Sequence, residues 1–98
     1  MAITVIVDLR TKPGRRDDLA EAIESFPEKS GAIPPGLLGV TLYGMVDDAD
    51  VLFEISEWES VEAHDAAMQQ AAGDPDFAAI TDILAAPFKQ AIVRRLDR

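Results

Sequence analysis

The chain has 98 residues, 48% of them hydrophobic, which suits one domain spanning residues 1–98. Nine Lys and Arg against eighteen Asp and Glu give a formal net charge of −9, which disfavours nucleic acids and membrane surfaces as partners. Since there is no cysteine and only one histidine, disulfides, thiolate nucleophiles and His-rich or Cys-ligated metal sites are excluded. We also expect a cytoplasmic protein with no signal peptide or transmembrane segment.

The first half of the chain predicts a strand followed by a helix. Apolar residues at every second position from Ile3 to Leu9 are typical of a β-strand. A helix is predicted from Arg15 to Phe26, because its apolar residues recur at spacings of three and four along one stripe. Pro27 lacks the amide hydrogen that continues a helix, so the helix is expected to end there. Residues 28–36 then form a loop.

A β-hairpin is predicted next. Apolar residues at Leu38, Val40 and Leu42 indicate its first strand, and the acidic segment 47–50 indicates its turn. The returning strand divides its side chains between two faces, with Val51, Phe53 and Ile55 on one, and Leu52, Glu54, Ser56 and Trp58 on the other.

Two helices and a last strand complete the predicted order. Ser60 is a predicted N-cap for a helix over residues 61–72, and Asp74-Pro75 predicts the start of a short third helix that Pro87 ends. Residues 88–96 alternate loosely as a strand. The order β-α-β-β-α-α-β indicates an α+β fold, the ferredoxin-like split βαβ sandwich with a four-stranded antiparallel sheet. Helices on one face leave the other face bare, so a homodimer is expected to cover it.

Several segments of the chain resemble the antibiotic biosynthesis monooxygenase family in their order and spacing. These are ITVIVDLRTKPGR at 3–15, PPGLLGVTLY at 34–43, DDADVLFEISEWESVEAHDA at 47–66 and DPDF at 74–77. The resemblance implies a dimeric α/β-barrel assembly with a cavity between sheet and helices. It also implies oxidation of quinols, anthrones or related polyketide phenols by O₂ with no bound cofactor.

One branch of that family degrades haem, and this chain departs from it. Members of that branch have an Asn–Trp–His arrangement, and in this chain the resemblance to it extends only to Trp58. Val7 stands near the position of the Asn, and residues 76–86 contain no His. Without an axial ligand, haem chemistry is not expected.

Three side chains are the candidates for catalysis. Cofactor-free oxygenation needs a base that converts a phenol to its electron-rich anion, inside an apolar site with hydrogen-bond donors. His64 is the candidate base, because histidine ordinarily changes charge near neutral pH; the alternative is a half-buried histidine bonded to backbone or to a carboxylate. Trp58 is the candidate aromatic wall and donor, or a core residue that anchors the second helix. Tyr43 is the candidate for a hydroxyl group that orients the substrate; alternatively it lies at the rim of the sheet.

Other side chains are candidates for binding the substrate. Glu54 lies in an apolar strand, where burial would raise its pKa and make it a second candidate base; alternatively it pairs with Arg10 or Arg94. The remaining candidates are Ser56, Phe53, Met68, Phe77 and Ile80.

The sequence favours a homodimeric, cofactor-free monooxygenase for a small aromatic substrate. A non-catalytic ligand-binding or accessory dimer and a polyketide cyclase- or isomerase-like enzyme stay open as alternatives.

Overall fold

The computed structural model describes residues 2–31 and 33–97. Its helices and strands are, in chain order, β1 (Ile3–Arg10), α1 (Arg16–Ser30), β2 (Leu37–Gly44), β3 (Val51–Trp58), α2 (Val61–Ala71), α3 (Pro75–Asp82) and β4 (Lys89–Val93). The strands form one sheet in the order β2-β3-β1-β4, and every neighbouring pair is antiparallel. This topology is ferredoxin-like, so the predicted α+β fold class is confirmed.

The core lies between the sheet and the helices. The alternating apolar residues of β1, from Ile3 to Leu9, are all buried, and so is Leu19 of α1. Leu52, Trp58 and Ile80 complete the same buried cluster. Because side chains alternate along a strand, the polar residues of β1 lie on the opposite face of the sheet.

Side-chain caps begin α2 and α3 as the sequence predicts. The Ser60 hydroxyl accepts a hydrogen bond from the Ala63 amide at 3.1 Å, and the Asp74 carboxylate accepts one from the Asp76 amide at 2.8 Å. Each cap satisfies an amide that has no partner within its helix. The helix α3 ends at Asp82, well before Pro87, because the chain that follows bonds to the end of β1 instead.

The helix α1 does not end before Pro27. It continues to Ser30, so the prediction that Phe26 is its last residue is wrong. A proline removes a single hydrogen bond from the helical ladder, and here it does so in the last turn. Ile23 and Phe26 pack on the core just before it, and this packing holds the end of the helix in place.

The strand β2 contains an irregularity that changes which residues face the helices. Leu37 pairs with Trp58 and Gly39 pairs with Glu57, so Leu38 is an extra residue without a partner in the ladder. A bulge of this kind reverses the alternation on one side of it. Leu37 therefore faces the helices together with Val40 and Leu42, whereas Leu38, which has the same spacing of two in the sequence, is 55% exposed.

The face of the sheet away from the helices carries a cluster of apolar side chains among polar ones. No helix of the described chain packs on it, since the helices contact the face that carries the buried residues of β1. The pairing registers place the following apolar side chains together there: Ile6, Tyr43, Phe53, Ile55 and Val93.

Candidate active site between the sheet and the helices

A cavity of about 160 Å³ lies between the sheet and the three helices. Its floor is formed by inward-facing side chains of all four strands, and its other walls come mainly from α1, α2 and α3. Most of the lining is apolar. An apolar cavity of roughly 150 Å³ accommodates a benzene molecule, so this cavity is of the size of one aromatic ring.

His64 and Trp58 lie side by side in the wall of this cavity. Their ring centroids are 5.3 Å apart, and the ring planes meet edge to face at 76°. The local fold explains the contact. Because β3 ends at Trp58 and α2 begins directly after Ser60, the first turn of α2 returns over the end of β3. The His64 side chain is thereby enclosed and the residue is only 3% exposed.

Ser56 holds the indole of Trp58 in place. The two residues share the inward face of β3, and the Trp58 Nε1–H donates a buried hydrogen bond of 2.9 Å to the Ser56 Oγ. Ser56 donates no hydrogen bond to any described residue. Its hydroxyl hydrogen is therefore available to an oxygen atom of a ligand.

The His64 imidazole is only weakly held by polar contacts. Within residues 2–31 and 33–97, its Nδ1 is buried and has no hydrogen-bond partner. The Asp65 Oδ1 lies 3.7 Å from it, which is within ion-pair distance but too long for a hydrogen bond. The Asp65 side chain is 59% exposed, so solvent weakens its attraction for a protonated imidazole. The alternative interpretation of His64 was a hydrogen bond to the backbone or to a carboxylate. The structure shows no such bond at Nδ1 among the described residues.

Glu54 brings a carboxyl group into the same apolar surroundings. It faces the helices between Leu42 and Val7 on the neighbouring strands, and burial raises its pKa above the ordinary value. No hydrogen bond or ion pair reaches it from the part of the chain that the structure describes. The pair with Arg10 is not formed: Arg10 lies on the other face of the sheet and contacts Asp48 at 3.0 Å.

Most of the residues proposed from the sequence lie together around this cavity. Those that line it are His64, Trp58, Glu54, Ser56, Met68, Phe77 and Ile80. Tyr43 and Phe53 do not line it, which corrects their predicted placement. They pair with each other across β2 and β3, out of phase with Glu54, and so lie on the opposite face of the sheet. Tyr43 is 54% exposed there.

Two polar residues of the lining were missed. Gln90 of β4 and Thr81 of α3 both border the cavity. Gln90 has a signal in the sequence, since it is the one polar residue at the alternating positions 88, 90 and 92. The Thr81 hydroxyl donates to the Ala78 carbonyl at 2.9 Å, a local bond that no sequence pattern indicates.

Neither a metal centre nor a membrane span is present in the described ranges. No three His, Asp or Glu side chains there are grouped as metal ligands would be. No helix in those ranges is long and apolar enough to cross a bilayer.

Comparison with known proteins assigns the chain to a family. The sequence profile of the family described as antibiotic biosynthesis monooxygenase matches residues 2–80, most of the chain. The chain belongs to the antibiotic biosynthesis monooxygenase family. The resemblance seen in the sequence is therefore confirmed. No curated protein matches the chain significantly.

Several solved structures share the fold of the chain at low sequence identity. A candidate antibiotic biosynthesis monooxygenase from Bordetella bronchiseptica has a TM-score of 0.80 at 20% identity, covering 97% of both chains. One from Chloroflexus aurantiacus has a TM-score of 0.75 at 21% identity, covering 100% of this chain and 97% of that one. The N63A mutant of SnoaB, a cofactor-independent oxygenase from Streptomyces nogalater, has a TM-score of 0.73 at 17% identity, covering 99% and 95%.

Proposed function

We propose that the protein is a cofactor-independent monooxygenase that oxidises a small phenol with O₂ in the cavity between sheet and helices. The proposal depends on the contact of His64 with Trp58 in the wall of a largely apolar, ring-sized cavity. An imidazole supplies a proton acceptor, and an indole supplies a flat surface for an aromatic ligand. Membership of the monooxygenase family and the likeness to SnoaB support the same reaction class.

The chemistry begins with the transfer of the phenolic proton to His64. The phenolate donates one electron to O₂, and the resulting radical and superoxide combine to a peroxide. The proton held by His64 returns to the peroxide, which gives a hydroperoxide on a ring carbon that still carries its hydrogen. When that hydrogen leaves as a proton, the C–H electron pair forms a C=O bond, the O–O bond breaks, and the departing hydroxide takes the proton to form water. The substrate thereby loses two hydrogen atoms and gains one oxygen atom. Since Nδ1 is the enclosed nitrogen, Nε2 is the nitrogen assigned to the substrate.

The volume of the cavity favours a particular size of substrate. At about 160 Å³, it matches one aromatic ring. A quinol with a single ring is therefore favoured over a three-ring anthrone, which is larger than the cavity.

Oxygen uptake with a panel of hydroquinones tests this proposal. The wild type should consume one O₂ per substrate and place one labelled oxygen atom from ¹⁸O₂ in the product. We expect H64Q to be slower by roughly 10²–10⁴-fold, the usual contribution of a general base. The control is E62Q, which removes an exposed charge from the first turn of the same helix and should leave the rate unchanged.

Other outcomes of this experiment identify the rival functions. Product formation without O₂ uptake would favour a cyclase- or isomerase-like enzyme. Saturable binding with no turnover of any substrate would favour a ligand-binding or accessory protein. Equal rates for H64Q and the wild type would refute the assignment of His64 as the base.

The uncovered face of the sheet supports a further part of the proposal, a homodimer. Tyr43 and Val93 are exposed on this face beside Phe53 and Ile55, and an apolar sheet surface of this kind is usually covered by a partner. Sedimentation equilibrium should give the mass of two chains for the wild type and of one chain for I55E. A wild-type mass of one chain at micromolar concentration would contradict the dimer.

A further inference from the structure

We propose that Glu54 and Gln90 form a second polar subsite in the cavity, which binds a hydroxyl group of the ligand at the end of the ring away from His64. The cavity then selects single-ring aromatics that carry hydroxyl groups on opposite sides of the ring. The choice of an aromatic ligand rests on the proposed function. The subsite itself depends on the position of these two side chains.

The register of the sheet brings the two residues into one row. Glu54 of β3 is directly opposite Val7 of β1, and Val7 is in turn opposite Gln90 of β4. Residues paired in this way share a face, so both side chains rise on the cavity side of the sheet, and both line the cavity. Their backbones are about 10 Å apart, two strand spacings, with only the short side chain of Val7 between them.

A hydroxyl group is the substituent that fits both residues. The Glu54 carboxyl has no partner among the described residues, and burial without a partner is unfavourable for its charge, which raises its pKa. A ligand hydroxyl donates its hydrogen to this carboxyl, and its oxygen can accept a hydrogen bond from the Gln90 amide. A methoxy group has no hydrogen to donate, and a carboxylate would be repelled by Glu54.

The distance along β3 matches one aromatic ring. Ser56 is two residues from Glu54 on the same face, about 7 Å along the strand. Its hydroxyl hydrogen is available to a ligand oxygen, because Ser56 accepts from Trp58 and donates to no described residue. Polar groups therefore lie at both ends of a ring-sized space, with apolar side chains between them. This arrangement fits a para-diphenol.

Quenching of tryptophan fluorescence measures binding without turnover. Trp58 is the only tryptophan, and it lines the cavity. Without O₂, hydroquinone should bind the wild type at least about tenfold more tightly than 4-methoxyphenol, the range expected for a hydrogen bond to a charged group. E54L should bring the two affinities within about twofold, and Q90L should reduce the preference to a smaller extent. The control E57L, on the opposite face of the same strand, should keep the full preference.

The outcomes separate the subsite from the proposed reaction. An unchanged preference in E54L, or no preference in the wild type, would overturn the subsite even if O₂ uptake is observed. A preference that E54L abolishes would support the subsite even if no O₂ is consumed. Absence of saturable quenching by either compound at millimolar concentration would also overturn it. E54L should remain folded because it replaces an unpaired carboxyl in apolar surroundings, and circular dichroism checks this.

Discussion

Replacing Ala67 by phenylalanine should fill the cavity and abolish ligand binding. Ala67 lies on α2, one turn after His64, packs on the core and lines the cavity. The substitution adds a phenyl ring, and a benzene-sized group occupies nearly all of a cavity of about 160 Å³. A ligand ring then has no space beside Trp58. We expect the affinity for hydroquinone to fall by at least about 100-fold, which corresponds to roughly 3 kcal/mol.

The same variant should still fold. Burial of the phenyl ring contributes about 1.5–3 kcal/mol of stability. Strain from imperfect fit costs about 1–3 kcal/mol. The net change in the free energy of unfolding should therefore stay within about 2 kcal/mol, which urea denaturation measures.

The neighbouring alanine provides a matched control. Ala66 is exposed on the same helix and does not line the cavity, so A66F should bind hydroquinone as the wild type does. Binding is read from the fluorescence of Trp58. A folded A67F protein that binds hydroquinone with wild-type affinity would refute the cavity as the ligand site.

Two further predictions concern stability. Burial raises the pKa of Glu54, so the protonated carboxyl favours the folded state, and this contribution is lost as the pH rises through the folded-state pKa. In urea denaturation E54Q should therefore be more stable than the wild type at neutral pH. This difference in the free energy of unfolding should shrink below pH 4.5, the ordinary pKa of the carboxyl group. If E54Q keeps its greater stability in acid, the burial effect is contradicted. G36A should lose roughly 1–3 kcal/mol, because Gly36 has a φ of +87° and an added Cβ would lie 2.6 Å from the Ala63 Cβ. G73A, with open space around the added Cβ, is the control, and equal melting temperatures would refute the argument.

Elements with local chemical signals were predictable from the sequence. The apolar alternation of β1 identifies both the strand and its buried face. Ser60 and Asp74 each form a hydrogen bond within their own first turn, so the start of each helix depends on a few adjacent residues. The place of His64 near the end of β3 also follows from short range, because α2 begins directly after that strand.

Features that depend on distant contacts were not predictable in the same way. The continuation of α1 through Pro27 depends on packing against the core, which the local rule for proline does not include. The pairing of Tyr43 with Phe53 depends on the register between β2 and β3, and the exposure of Leu38 depends on the irregularity there; neither is visible in one strand alone. Gln90 joins the site only because β4 pairs with β1 from the far end of the chain.

A crystal structure of the protein with hydroquinone, prepared without O₂, would show directly whether the cavity is the ligand site. We expect one ring in the cavity, packed against the indole of Trp58, with one hydroxyl near His64 and the other near Glu54. Electron density for the ligand on the open face of the sheet, with the cavity empty, would contradict it.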